Sequence, residues 1–152
     1  MKIHVVAIAK PEKDAYAQIC ERFVTMARRY ASIETHELFH AKVTRAQESG
    51  AAKARQVYAD LLAPWMDRGF RIALDPAGRE LETEAFAKLL ADRQEVSFFI
   101  GGAYGHGREF LNRCDRVVSL SRLTMSHKVA KVVLYEQIYR ALTILHNHPY
   151  HK

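Results

Sequence analysis

The run Val96-Ser97-Phe98-Phe99-Ile100, closed by Gly101-Gly102, constrains the fold of this chain more than any other stretch. Successive side chains on a strand point to opposite faces, so a strand apolar at neighbouring positions has to be covered on both. The interior of a parallel sheet provides that cover, and parallel neighbours need long crossover connections. The rest of the sequence supplies them. Short β-type runs at residues 2–9, 33–39, 70–74 and 116–120 alternate with helical patterns at residues 11–30, 51–66, 83–91, 108–113 and 127–146. This predicts an α/β fold, a mostly parallel sheet with helices on both faces.

Local signals refine the reading. Pro11 suits the first turn of the first helix, where its missing N–H is no loss. Tyr16, Ile19, Cys20, Phe23, Ala27 and Tyr30 then recur at helical spacing. Residues 40–50 are polar and basic and read as a mobile loop. Pro64 should kink the end of the following helix, and Gly69 should end it. Asp75-Pro76-Ala77-Gly78 reads as a turn. In the last helix Val129, Val132, Val133, Leu134, Ile138, Leu142, Ile144 and Leu145 cover most of the circumference. A helix apolar nearly all round must be buried, and in so small a chain a second copy is the natural cover.

The 152 residues are read as one domain, with no repeat and no linker-like tract. The first nine residues are too short and too polar for a signal peptide, and no apolar stretch is long enough to cross a membrane. Cys20 and Cys114 lack a paired spacing and read as free thiols in a reducing compartment, hence a cytoplasmic protein. Lys and Arg number 23 against 17 Asp and Glu, a net charge of +6 that suits a polyanionic partner. His36 and His40 do not face one way, and His146, His148 and His151 lack a Cys or carboxylate at ligand spacing, so no metal is expected.

Ligands in such folds sit beyond the C-terminal ends of the strands. Three loops leave strand ends there: residues 75–79, 101–107 and 121–126. The glycine-rich segment Gly101-Gly102-Ala103-Tyr104-Gly105-His106-Gly107 lacks the spacing of a dinucleotide fingerprint and the acid that would hold a ribose, which argues against an oxidoreductase; it also lacks a P-loop lysine. Taken alone it serves equally as an ordinary tight turn. Glu136 and Arg140 stand four apart in the favourable order for an ion pair, and a charge in so apolar a helix is either paired structurally or functional.

Five segments in order carry a resemblance that covers the whole chain and is densest from Leu74 onward. They are Leu74-Asp75-x-x-Gly78, Ile100-Gly101-Gly102-x-x-Gly105, Ser119-Leu120-Ser121-x-Leu123-Thr124, Glu136-x-x-Tyr139-Arg140-Ala141 and Pro149-Tyr150-His151-Lys152. Together they resemble the bacterial 23S ribosomal RNA pseudouridine N3-methyltransferases, the RlmH family of the SPOUT class. The resemblance implies a C-terminal trefoil knot and a homodimer whose last helices pack together. It implies S-adenosyl-L-methionine (AdoMet) as methyl donor, and as substrate a pseudouridine in the intersubunit stem-loop of ribosomal RNA within the assembled ribosome. AdoMet needs no metal, because its sulfonium already makes the methyl electrophilic. Carried onto this chain, backbone groups of Leu74, Gly102, Ser121, Arg122, Leu123, Thr124, Met125 and Ser126 hold the cofactor, and a β-carbon at Gly102 would fill cofactor space. His151 is the candidate proton acceptor or base-positioning group, Tyr150 a stacking platform, and Arg140 a third candidate catalytic group. Read without the family, Tyr150 to Lys152 would be a loose tail. Tyr104, Ser126, Lys131 and Lys152 depart from the family pattern, and lysine for arginine at the last two positions would weaken phosphate docking. The rival from another class is a ribosome-binding factor without catalysis, which would have no use for three convergent loops.

Overall fold

The computed structural model describes residues 1–152. Strands β1 (Lys2–Ile8), β2 (Ser32–Leu38), β3 (Phe70–Glu80), β4 (Glu95–Ile100) and β5 (Arg116–Ser119) alternate with helices α1 (Ala15–Ala27), α2 (Ala41–Glu48), α3 (Ala51–Leu62), α4 (Thr83–Leu90), α5 (Arg108–Arg113) and α6 (His127–Leu145). The sheet order is β2-β1-β4-β3-β5, with every neighbouring pair parallel. The fold is therefore α/β as the alternation requires, and β4 lies at its centre.

Alternation along the strands splits the interior into two cores. Ile3, Val5 and Ala7 of β1, with Val96, Phe98 and Ile100 of β4, face the layer of α1, α4 and α6. Val6, Ile8 and Phe99 face the layer built from α2, α3 and α5. Phe98 and Phe99 are both fully buried, on opposite faces. Phe98 stacks on Phe86, and Phe99 meets Phe110 edge-on.

Several local expectations are corrected. Residues 40–50 are not a loop: they hold α2, whose N-terminus is capped by the His40 ring accepting from the Lys42 amide at 3.1 Å. Only Val43 and Ala46 are buried along it, too few apolar residues for periodicity to register. Pro11 precedes α1 rather than opening it; Asp14 caps the helix by accepting from Ala17 N at 3.0 Å. Pro64 does not kink α3 but sits in a 3-10 turn, Ala63–Trp65, that follows it. Gly69 comes several residues after the helix, at φ +58°, where a β-carbon would lie 2.2 Å from the Glu95 carbonyl oxygen. The expected turn at Asp75-Pro76-Ala77-Gly78 is a protrusion inside β3, because Leu74 and Arg79 both lie opposite Val118 of β5.

The apolar circumference of α6 is explained largely within this chain. Leu134, Ile138 and Leu142 are fully buried in the core that α6 shares with α1 and α4. A cavity left by Leu134→Ala should therefore cost about 2–5 kcal/mol of folding stability. Urea unfolding that leaves the midpoint unmoved would show that the helix is not part of the chain's own core.

Candidate active site

Because all five strands run the same way, the C-terminal ends of β1, β3, β4 and β5 open on one edge of the sheet. A cavity of about 610 Å³ lies there, within the range of small-molecule sites. Ile8 and Ala9 follow from β1, Leu74-Asp75-Pro76 from the β3 protrusion, Ile100 to Ala103 and Gly105 from β4, and Ser119 to Ser121 from β5. Leu123, Thr124, Met125 and His127 close it from the segment entering α6. Each of the three loops expected from sequence contributes. The contribution of β1, continuing through Lys10 and Glu12, was not anticipated, although a strand beside β4 must end at the same edge.

The loops are held by their own short-range bonds. Gly105, at φ +68°, donates its N–H to the Gly102 carbonyl at 3.0 Å, a left-handed turn that glycine makes without strain. Ser119 Oγ donates to the Ser121 carbonyl at 3.0 Å, and the Leu123 amide donates to Ser121 Oγ at 2.9 Å. Of the eight expected cofactor residues, Leu74, Gly102, Ser121, Leu123, Thr124 and Met125 line the cavity, whereas Arg122 and Ser126 do not. The Arg122 side chain is 88% exposed and pairs with Glu80 at 2.6 Å. Ser126 caps α6 by accepting from Val129 N at 3.3 Å. The reason glycine is needed at position 102 also changes. A β-carbon there would lie 2.5 Å from the ring of Tyr58, so buried protein, not ligand space, excludes it.

One cavity residue lacks a partner. His127 Nε2 is buried with no hydrogen bond, and such a group costs free energy unless something completes it. The cavity thus offers an apolar floor from Ile8, Leu74, Ile100 and Leu120, with glycine and serine backbone at its rim. This fits an AdoMet-sized ligand with both apolar and polar parts. Lys131, expected to bear on phosphate docking, instead turns inward to pair with Glu37.

The C-terminal tail is packed, not loose. Arg140 binds Glu136 through Nε at 2.9 Å and Nη2 at 2.5 Å, and Tyr150 donates its hydroxyl to the same carboxylate at 3.1 Å. The Tyr150 ring lies 4.7 Å from the Arg140 guanidinium and from the ring of Tyr139. His151 Nδ1 is 3.3 Å from Arg140 Nη1, and its Nε2 is 3.1 Å from Glu84 Oε1. Guanidinium nitrogens only donate, so Nδ1 accepts and the ring proton sits on Nε2, directed at Glu84. The three catalytic candidates, Arg140, Tyr150 and His151, are thus brought together in one network. They are not brought to the cavity: it lies by the start of α6, whereas Arg140, with Tyr150 and His151 packed against it, comes 13 residues after His127, about 20 Å along the axis at 1.5 Å per residue.

A parallel sheet with a cofactor-sized cleft over its strand ends and a buried terminal helix defines an α/β domain built to hold a small-molecule ligand. A family model described as "Predicted SPOUT methyltransferase" matches residues 1–151, and the chain belongs to that family. It is 49% identical to Ribosomal RNA large subunit methyltransferase H of Aliarcobacter butzleri over the full length of both chains. Identity to the protein of the same name from Sulfurovum sp. is 46%, again over the full length of both. Among solved structures, a candidate RNA methyltransferase from Bacillus anthracis superposes with a TM-score of 0.53 at 16% identity, covering 97% of this chain and 96% of that one. A candidate methyltransferase from Legionella pneumophila, solved with its cofactor SAM bound, gives a TM-score of 0.50 at 11% identity, covering 93% and 66%.

Burial pushes His127 below the ordinary imidazole range, helped by nearby Lys131. Burial does the same to His106, which stacks on Phe110 with its Nε2 3.2 Å from the Phe99 carbonyl oxygen. The unfolded chain therefore binds more protons than the folded one once pH falls below about 6.5. The stability held by these neutral rings should be complete above that pH and drain away beneath it. The urea midpoint should be lower at pH 5.5 than at pH 7.5; an equal or higher midpoint at pH 5.5 contradicts this.

Proposed function

We propose that this protein transfers the methyl group of AdoMet to N3 of a pseudouridine in the intersubunit stem-loop of large-subunit ribosomal RNA. It acts on the assembled ribosome in the cytoplasm, as a homodimer of single-domain chains with the C-terminal knot that family membership implies. The observation that carries the reading is the cavity over the strand ends, in a chain 49% identical from end to end to a ribosomal RNA large subunit methyltransferase. No helix is long and apolar enough to cross a membrane, and the net charge of +6 suits an RNA partner.

In this reading Leu74, Gly102, Ser121, Leu123, Thr124 and Met125 hold the cofactor, mainly through backbone groups. Bound there, AdoMet would supply an electrophilic methyl on its sulfonium, and the base nitrogen that takes it has to give up a proton. The protein's task is alignment and removal of the proton. Arg140, Tyr150 and His151 are the groups assigned to it. The separation of about 20 Å along α6 between tail and cavity argues against a site made from one chain alone. A second copy with its α6 running antiparallel carries its tail to the first copy's cavity, so dimerisation is required for catalysis and not only for stability.

Deleting Tyr150 to Lys152 should leave AdoMet affinity by calorimetry nearly intact while methyl transfer to ribosomes falls at least about a hundredfold. Full-rate methylation by the truncated chain would remove the tail from the mechanism. Failure of the intact chain to bind AdoMet would favour the ribosome-binding factor instead. In sedimentation at micromolar concentration the protein should be a dimer. Val133→Asp, at a half-buried position, is the variant to dissociate it; Leu134→Asp would unfold the chain instead, because Leu134 lies in the monomer core.

A further inference from the structure

Strand pairing builds a second polar cluster in the first half of β1, away from the cavity edge. His4 on β1 stands opposite Glu34 on β2, and His36 follows two residues on, so all three lie on one face. His4 is fully buried, whereas the His36 and Glu34 side chains are 26% and 41% exposed. His4 Nδ1 is 3.2 Å from His36 Nε2 and 3.4 Å from Glu34 Oε2, and His36 Nε2 is 3.6 Å from the same oxygen. Three potential donor atoms thus form a nearly equilateral triangle.

With His4 neutral, hydrogen bonding leaves one contact of that triangle without a proton. His4 Nε2 lies 2.8 Å from Glu95 Oε1, so its proton belongs to that bond and a neutral His4 has a lone pair on Nδ1. His36 can donate one proton to that lone pair. The Glu34 oxygen then faces it with no proton between them. A second proton on His4 or a cation at the centre of the triangle resolves the conflict, and the spacing of the three atoms matches the cation. The dimensions select the kind of cation. Zinc bonds of 2.0–2.1 Å in a tetrahedron place ligand atoms about 3.3–3.4 Å apart. An octahedral ion at about 2.1 Å would place them near 3.0 Å, and harder ions prefer all-oxygen sets.

We propose that His4, His36 and Glu34 bind a divalent transition-metal ion of the zinc class. The surrounding groups are those such a site needs. Glu95 fixes the His4 tautomer so that Nδ1 faces the metal, the carboxylate–histidine pairing usual around zinc. Lys2 takes the other Glu34 oxygen at 2.9 Å, leaving Oε2 for the ion. The Trp65 ring covers His36, with centroids 4.9 Å apart. Glu34 and His36 are on β2, His4 is on β1 and Glu95 on β4, so the ion clamps the edge strand to the centre of the sheet. Its fourth position faces solvent and takes water. The expectation of no metal rests on histidines near one another along the chain; this set is made by strand pairing across 32 residues.

The test uses tag-free, chelator-stripped protein titrated with Zn2+ against a chromophoric chelator, with Co2+ as a spectroscopic probe. One equivalent per chain should bind with micromolar or tighter affinity, and bound Co2+ should give the intense visible bands of tetrahedral coordination. At a hundredfold excess over Kd, Zn2+ should raise Tm by roughly 5–10 °C. His36→Ala and Glu34→Gln, both at partly exposed positions that spare the core, should lose the bound equivalent and the Tm rise. Glu95→Gln should weaken affinity about 10–100-fold without abolishing it. His146→Ala/His148→Ala should bind as the parent does. No binding below about 100 μM, or binding removed by the tail variant and kept by His36→Ala, would overturn the proposal.

Discussion

Phe98 and Phe99 point to opposite faces of β4 and neither reaches solvent, so the sheet must carry a helical layer on each side. Helical layers on both faces require crossover connections, crossovers make the strands parallel, and parallel strands end together. The cavity is a consequence of that order. Four strands deliver their C-terminal turns to one edge, where backbone groups that no ladder can use are free to meet a ligand. The β3 protrusion adds to this without breaking the sheet, because the strand resumes pairing with β5 at Arg79.

The join between α1 and α6 sets the rim of the same cavity. Lys128, at the start of α6, grips both Glu12 and Asp14, and Asp14 also caps α1. Asp14 is held below the ordinary carboxylate range, chiefly by the Lys128 hydrogen bond. These charges are largely exposed, so their separate contributions to stability are small. Their effect is positional: they fix the segment after β1 against the helix that carries His127.

The sequence displayed whatever depends on neighbours along the chain. Val96 to Ile100 announced the central strand, the glycine and serine loops marked three walls of the cavity, and Glu136 with Arg140 marked the ion pair. What stayed hidden depends on contacts between distant segments. α2 has only two buried residues and derives its stability from packing beside α3. The side chain that excludes substitution at Gly102 is Tyr58, 44 positions earlier. Lys131 looks like a surface cation in sequence but pairs with Glu37, on the edge strand. His4 beside His36 follows only once β1 and β2 are known to pair in that register. The motif resemblance suggests what periodicity could not, a proposed role for a tail that spacing alone leaves undefined.

That tail has a chemical consequence of its own. In the arrangement seen here both nitrogens of His151 are engaged, Nδ1 by Arg140 and Nε2–H by Glu84. A ring bonded in this way has no free lone pair, so it cannot take a proton from a base. A general-base role therefore requires Arg140 to leave Nδ1 while Glu84 keeps the opposite proton in place, which would hold the tautomer ready. Arg140 is also the group in this network that an RNA phosphate would draw most strongly, since its fork matches phosphate oxygens as well as it matches Glu136. Substrate docking and exposure of the base would then be one event, and the histidine would stay blocked until RNA is present. Tyr150 is subject to the same logic. Its ring is held by Arg140 and Tyr139, so it can stack on a base only after the arginine has moved.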